Sequence, residues 1–177
     1  DIIRYRIGYA ETGPYSGKII IPSYNFTGQL NYFVSRAFYE NDPFKHKNPK
    51  ISKDIIGFDM LINWNEPIIL CEGAFDAITI KRNAIPLFGK MINPKLRIKI
   101  IEEGVKEIYI CLDQDALINA KHIAQTFLRE GIQVYLVKLD KEDPNEMGYK
   151  RITEKIEETY QFSFEELMTM EINSLWK

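Results

Sequence analysis

The sequence predicts an α/β protein: a parallel sheet flanked by helices, preceded by a small, mixed, β-rich basic region and followed by C-terminal helices. Three observations predict it. Two short, continuous apolar runs, Ile68 to Cys71 and Ile108 to Leu112, have the length and composition of strands buried on both faces. Helical segments of ~10–15 residues alternate with strand-like runs, and such alternation builds one parallel sheet with right-handed crossovers. Upstream, two runs rich in β-branched and aromatic residues flank a turn-forming segment, the pattern of a hairpin.

Taken in order, residues 1–15 hold turn formers (Gly8, Gly13, Pro14) and scattered aromatics without a period. Lys18 to Ile21 reads as a strand, Pro22 to Gly28 as a turn region and Gln29 to Tyr39 as the returning strand. Residues 39–53 read as a loop punctuated by Asn41-Asp42-Pro43 and made basic by Lys45, His46, Lys47, Lys50 and Lys53. Asp54 to Asn63 reads as a short helix or turn. After the Ile68 strand, Ala74 to Asn83 has helical spacing, and Ala84 to Phe88 is a second strand ended by Gly89. Pro94 suits a first helical position, and that helix runs to Gly104. Glu107 to Leu112 is the third strand, Ala116 to Glu130 a helix closed by Gly131, and Ile132 to Leu139 the fourth strand. Asp140 to Gly148 reads as a polar loop. Helices follow over Tyr149 to Tyr160 and Phe164 to Trp176, the second opened by a Ser163/Glu166 capping box. Three parts result: a basic N-terminal subdomain over 1–63, the α/β unit over 64–148 and C-terminal helices over 149–177.

The bulk numbers exclude several classes. At 177 residues the chain can bury a proper core, and 45% hydrophobic with 27% charged residues is ordinary for a globular protein. No apolar run approaches the ~18–20 residues of a membrane span. There is no charged-then-apolar leader, and the chain begins at Asp1 instead of Met, as an excised fragment does. Cys71 and Cys111 both end predicted core strands and read as buried small hydrophobes, which fits a reducing, cytoplasmic setting. Richness in Ile, Lys and Asn points to an AT-rich genome, bacterial or viral. The net charge of −2 argues against a generic polyanion binder, but it is unevenly spread. Residues 1–60 hold 8 basic and 6 acidic side chains, residues 61–177 hold 15 and 19. A polyanion crossing the first part and reaching into the second fits that asymmetry.

The chemistry lies at the strand ends. In open α/β sheets, ligands bind beyond the carboxyl ends of the strands. Glu72 follows the first core strand, and Asp113 and Asp115 follow the third. Three acids brought to one patch repel unless something positive sits among them. Hard oxygen ligands of this kind suit Mg²⁺ or Mn²⁺. Each residue also has a plainer reading. Glu72 and Asp76 could be first-turn acids favoured by the helix dipole, and Asp113-x-Asp115 a helix N-cap with a neighbouring surface acid. Asp143-Pro144-Asn145 could start a helix or hold a metal. The basic loop could be a solvated charge run, and Gly89 could cap a nucleotide pocket or simply make a turn. Tyr32, Phe33, Phe38 and Tyr39 could be core, or could stack on unpaired bases. His46 and His122 have no partner pattern.

Glu72-Gly-Ala-Phe-Asp76, then Asp113-Gln-Asp115, then Glu142-Asp-Pro-Asn-Glu146 form an ordered set. The arrangement resembles the topoisomerase–primase (TOPRIM) domain. The upstream pieces, Lys18-Ile-Ile-Ile-Pro22, Gly28 to Phe33 with Ser35-Arg36, and the basic segment from Lys45 to Lys53, resemble the basic half of bacterial and phage replicative primases. That resemblance runs from about Gly17 to Gly148. It implies a catalytic core making short RNA primers on single-stranded DNA by two-metal nucleotidyl transfer from ribonucleoside triphosphates. It implies Glu72, Asp113 and Asp115 as catalytic acids, and Glu72, Asp76, Asp113, Asp115 and Asp143 as ligands of Mg²⁺ or Mn²⁺. Lys18, Arg36, Lys45, Asn48, Lys53, Gly73 and Gly89 fall at template- or nucleotide-binding positions.

The chain departs from the family pattern in places. Ser35 stands where Gly is usual, Ala116-Leu-Ile-Asn119 replaces an Ala-Gly turn, and Asn145 replaces a common Asp. Two cysteines and two histidines supply no zinc site, so a zinc-binding module or a replicative helicase would be partners outside this chain. Two other functions share parts of the pattern: a TOPRIM nuclease using the same acids, and an inert nucleic-acid-binding or recombination module. The basic hairpin and loop favour the primase over the nuclease, and the intact acids argue against the inert module.

Overall fold

The computed structural model describes residues 1–139 and 143–175. Two sheets share one interface. The first is antiparallel, in the order β1 (Gly8–Ala10), β2 (Lys18–Tyr24), β3 (Leu30–Ala37). Its hairpin turns through Asn25, whose Oδ1 accepts from the Thr27 N–H at 3.1 Å and the Gln29 N–H at 2.8 Å. Gly28 supplies the positive φ of +79° that the turn requires. The strand β2 continues through Pro22 to Tyr24, where a turn was expected. Pro22 pairs with Phe33 of β3 but lies beyond the last β1 partner, Ile20, so its missing N–H is tolerated on the open side.

The basic loop folds back along β3. Ser35 is fully buried; its Oγ donates to the Lys47 carbonyl at 2.5 Å, and its N–H donates to Asn48 Oδ1 at 3.0 Å. A glycine there could not tie the loop by a side chain, so the departure from the family pattern has a structural use. The next segment threads between the two sheets. Asn31 Nδ2 donates to the Ile56 carbonyl, the Phe58 N–H to Ser23 Oγ, and Asn93 Nδ2 to the carbonyls of Lys53 and Ile55.

The second sheet orders β5 (Ala84–Pro86), β4 (Ile68–Cys71), β6 (Glu107–Cys111), β7 (Gln133–Leu136) and β8 (Gln161–Phe162), the first four parallel and β8 antiparallel to β7. The helices are α1 (Ala74–Ile80), α2 (Pro94–Glu102), α3 (Leu117–Arg129), α4 (Pro144–Glu157) and α5 (Phe164–Leu175). Alternate residues of β4 serve opposite layers, as the pleat demands. Ile68 and Leu70 pack with Leu96, Ile100, Ile123 and Phe127 of α2 and α3. Ile69 and Cys71 pack with Ala77 and Ile80 of α1, Ile152 and Ile156 of α4, and Ile21 and Tyr32 of the first sheet. The basic half is thus docked through a shared apolar layer.

Several boundaries differ from the sequence expectation. β1 and β8, three and two residues long, carry no readable period. α1 stops at Ile80, where Lys81 turns left-handed at φ 59°, short of the expected Asn83. α4 begins at Pro144, inside the expected polar loop, with Asp143 Oδ1 accepting the Glu146 N–H at 2.7 Å. Residues 140–142, including Glu142 of the third motif, lie outside the described residues, as does Trp176. The Ser163/Glu166 capping box forms in both directions. Cys71 and Cys111 are register partners on β4 and β6, and both are free, buried thiols. Among the described residues, no helix is long and apolar enough to cross a membrane.

Candidate active site

The adjacent parallel strands β4 and β6 end level with each other, Cys71 beside Cys111. The chain therefore delivers Glu72 and Asp113 side by side just beyond the sheet. A single 3₁₀ turn, Gln114–Ala116, follows Asp113 and brings Asp115 back to the same patch. One carboxylate oxygen from each of Glu72, Asp113 and Asp115 lies within 4.8 Å of the others.

The electrostatics follow from that crowding. Burial, and after it the neighbouring Asp113, hold the Glu72 carboxyl above its ordinary value. Asp113 is raised by burial and then by Asp143 and Asp115. Glu72 Oε1 and Asp113 Oδ1 are both buried and make no hydrogen bond among the described residues. Buried carboxylate oxygens without a donor are costly, and a hard cation is the natural partner for them. The donor set therefore fits a divalent metal.

The remaining acids of the expected set stand differently. Asp76 and Asp113 line one cleft of about 430 Å³ with Glu72 and Asp143. Asp76 Oδ2, however, accepts the Gly73 N–H at 2.9 Å, and Asp143 caps α4. Both plainer readings, helix-start acids, are thus realised at the edge of the cleft. Across it stand Ser35, Arg36, His46 and Asn48 from the basic half, with Phe75 and Phe88 on the floor. The Arg36 guanidinium lies 5.1 Å over the Phe75 ring, which fixes a cation above the start of α1. Burial, with Arg36 next, lowers the His46 pKa.

Other expected contacts are displaced. Lys18 does not face the cleft: it is 4% exposed, and its Nζ is held by Asp42 Oδ2 and the Phe44 carbonyl, each at 2.5 Å. Its role is to brace the loop against β2. Lys53 Nζ donates to the Phe88 carbonyl at 2.6 Å and so ties the two halves together. Lys45 is exposed, with its carbonyl accepting from the Ala37 N–H. Tyr32 is core, against Phe88, and Phe33 packs edge-on against Tyr15; Phe38 and Tyr39 remain exposed. Gly89 makes the turn beside the acids, its N–H donating to the Glu72 carbonyl at 3.3 Å.

One residue of the site carried no sequence expectation. Lys90 Nζ lies 2.5 Å from Asp115 Oδ2. The need for a positive group among three acids was legible; its source in the turn after Gly89 was not.

The Toprim domain family model matches residues 67–139, a span that opens one residue before β4 and runs past β7. That segment is similar to a Toprim domain. Its relatives by sequence are uncharacterized. The chain is 26% identical over 129 residues to protein MG010 of Mycoplasma genitalium, and 28% identical over 126 residues to its Mycoplasma pneumoniae homolog. These alignments cover 67% and 66% of the chain and 59% of each relative, so the chain spans about three-fifths of their length.

Solved structures extend the likeness beyond the Toprim domain. The E. coli primase catalytic core matches with a TM-score of 0.75 at 17% identity, over 98% of this chain and 72% of that one. The DnaG primase catalytic domain bound to single-stranded DNA matches at 0.77 and 18%, over 98% and 70%. The zinc-binding and RNA polymerase domains of the Aquifex aeolicus primase match at 0.74 and 18%, over 91% and 53%. The basic half and the Toprim domain together have the fold of a primase catalytic core.

The Toprim acids make stability depend on pH. Burial pushes the Asp76 carboxyl from 3.8 up to about 6, against the pull of the Gly73 N–H. A folded value above the unfolded one means the neutral form favours folding. That contribution is complete below about pH 4 and is lost as pH rises through about 6. Asparagine stays neutral and keeps an oxygen for the Gly73 N–H. In metal-free buffer, the stability difference between Asp76→Asn and wild type is expected to move in the variant's favour by about 2 kcal/mol between about pH 4.5 and about pH 7.5. Thermal melts across that range check it, and a pH-independent difference contradicts it.

Proposed function

We propose that this chain is the catalytic core of a DNA primase, joining ribonucleotides into short RNA on a single-stranded DNA template. One observation carries the reading: Arg36 and Asn48 of the basic half line the same cleft as Glu72 and Asp113, whose inner oxygens are buried without partners. A nuclease site needs the acids; a template-directed polymerase also needs a cationic wall for a second polyanion.

In the proposed reaction, the 3′-hydroxyl oxygen of the growing RNA bonds to the α-phosphorus of the incoming ribonucleoside triphosphate. The bond from that phosphorus to its bridging oxygen breaks, pyrophosphate leaves with the electron pair, and the hydroxyl proton passes to solvent. Glu72 and Asp113, whose inner oxygens lack partners, would hold Mg²⁺ or Mn²⁺, with Asp115 as the outer acid of the set. A divalent ion there supplies positive charge to the transferred phosphoryl group and lowers the pKa of a bound hydroxyl. Arg36, fixed over Phe75, offers a planar donor fork to phosphate. Lys45 and Lys50, exposed on the loop, attract the template backbone without reading its sequence. Asp76 and Asp143 hold the helix starts that shape the cleft. A zinc-binding module and a replicative helicase would act from outside this chain.

The test is incubation with single-stranded DNA, labelled ribonucleotides and Mg²⁺ or Mn²⁺. Short, template-dependent RNA is expected. Shortened DNA in place of RNA would reassign the site to a nuclease, and the absence of either product would leave a binding module.

A further inference from the structure

The acid cluster contains a positive charge of its own. Lys90 Nζ lies 2.5 Å from Asp115 Oδ2, and the charges of Glu72 and Asp113 also act on it. The backbone is built to bring it there. Phe88, just before it, holds a left-handed φ of +53°, a conformation uncommon outside glycine. The Phe88 ring secures that turn against Tyr32, at 4.8 Å between centroids, and Phe58, at 6.3 Å. Gly89 then donates its N–H to the Glu72 carbonyl, and Lys90 follows with its ammonium on Asp115.

The three carboxylates are consequently unequal. Glu72 and Asp113 each keep one buried oxygen with no partner, while Asp115, 72% exposed, already has its counter-ion. An ion approaching the outer acid must compete with the ammonium that already pairs with it.

We propose that Lys90 is the resident second cation of this site. Glu72 and Asp113 take one divalent ion, and the Lys90 ammonium holds the outer position on Asp115 until a triphosphate arrives, when it pairs with phosphate oxygens. A lysine suits this duty because its ammonium is a compact point charge on a flexible stem that can move between a carboxylate and a phosphate. The inference deepens the proposed function and rests on it for the identity of the triphosphate.

Calorimetric titration with Mn²⁺ alone tests it on wild type, Lys90→Met and Lys90→Arg, without any need for turnover. Wild type is expected to bind one tight ion. Lys90→Met is expected to bind a second ion, or the first at least ~5-fold more tightly, because a competing cation has gone; Lys90→Arg should keep wild-type stoichiometry. Two tight ions on wild type, a result independent of any variant's folding, would overturn the proposal, as would identical titrations of wild type and Lys90→Met. Inorganic tripolyphosphate added at saturating Mn²⁺ should bind Lys90→Met at least ~5-fold more weakly than wild type. Equal affinity would remove the phosphate role. If neither protein bound Mn²⁺, the metal reading of the acids would itself fail, together with this inference.

Discussion

Replacing Glu72 by Gln is expected to reduce RNA synthesis by about a hundred- to a thousand-fold while leaving the protein folded and no less heat-stable. The size follows from removing a charged ligand at the point where phosphoryl charge must be neutralised; single losses of such electrostatic groups cost about 10²–10³. The stability outcome follows from the sign of the pKa shift. The Glu72 carboxyl is raised by burial and by Asp113, so its ionised form opposes folding near pH 7. Glutamine has nearly the same shape, removes that repulsion and leaves the Glu72–Gly89 backbone contact untouched. Loss of function without loss of fold marks a residue selected against stability. Calorimetry of the metal-free variant beside a primer assay checks both halves, and retained synthesis would remove Glu72 from the chemistry.

The largest structural effect is expected at Gly57. A Cβ there would meet the Pro86 carbonyl oxygen at 2.4 Å, Cγ at 2.8 Å and Cδ at 3.0 Å. Neither partner can yield easily: the first is backbone, the second a closed ring. Pro86 is also the last residue of β5, in register with Cys71 of β4, so displacing it moves the strand end that carries Glu72. Overpacking of a tight site costs about 1–3 kcal/mol and more when backbone must shift. We expect Gly57→Ala to lose about 3 kcal/mol, roughly 6–12 °C in Tm for a chain of this size. Gly8→Ala is the control: nothing lies within 4 Å of its Cβ position, so its melting point should stay within about 2 °C of wild type. Equal melting points for the two variants would show that the close approach at Gly57 is not fixed in solution.

How much of this was legible depended on distance along the chain. The runs Ile68 to Cys71 and Ile108 to Leu112 were readable because the core of a buried parallel strand is continuously apolar. Their acids were readable because parallel strands end on one edge. Asp143-Pro144 was a legible N-cap with Pro at the first helical position, yet Gly148, non-helical at φ 75°, interrupts the period and made the segment look like loop. Lys18 belonged to a recognisable strand, but its partner Asp42 is 24 residues away, so its burial could not be read from pattern. Tyr32 had the composition of a stacking platform and became core because the first sheet docks on α1 and β5. Lys90 shows the same limit at the site itself. Its neighbour Gly89 reads as a turn or a pocket cap, but the turn that points the lysine at Asp115, 25 residues on, is a tertiary fact.

The most direct test is anomalous scattering at the manganese edge from crystals soaked in Mn²⁺. The expected result is a peak between the carboxylates of Glu72 and Asp113, within coordination distance of both. A peak elsewhere on the protein, or none at a concentration that supports primer synthesis, would contradict the claim that these two strand ends share a cation.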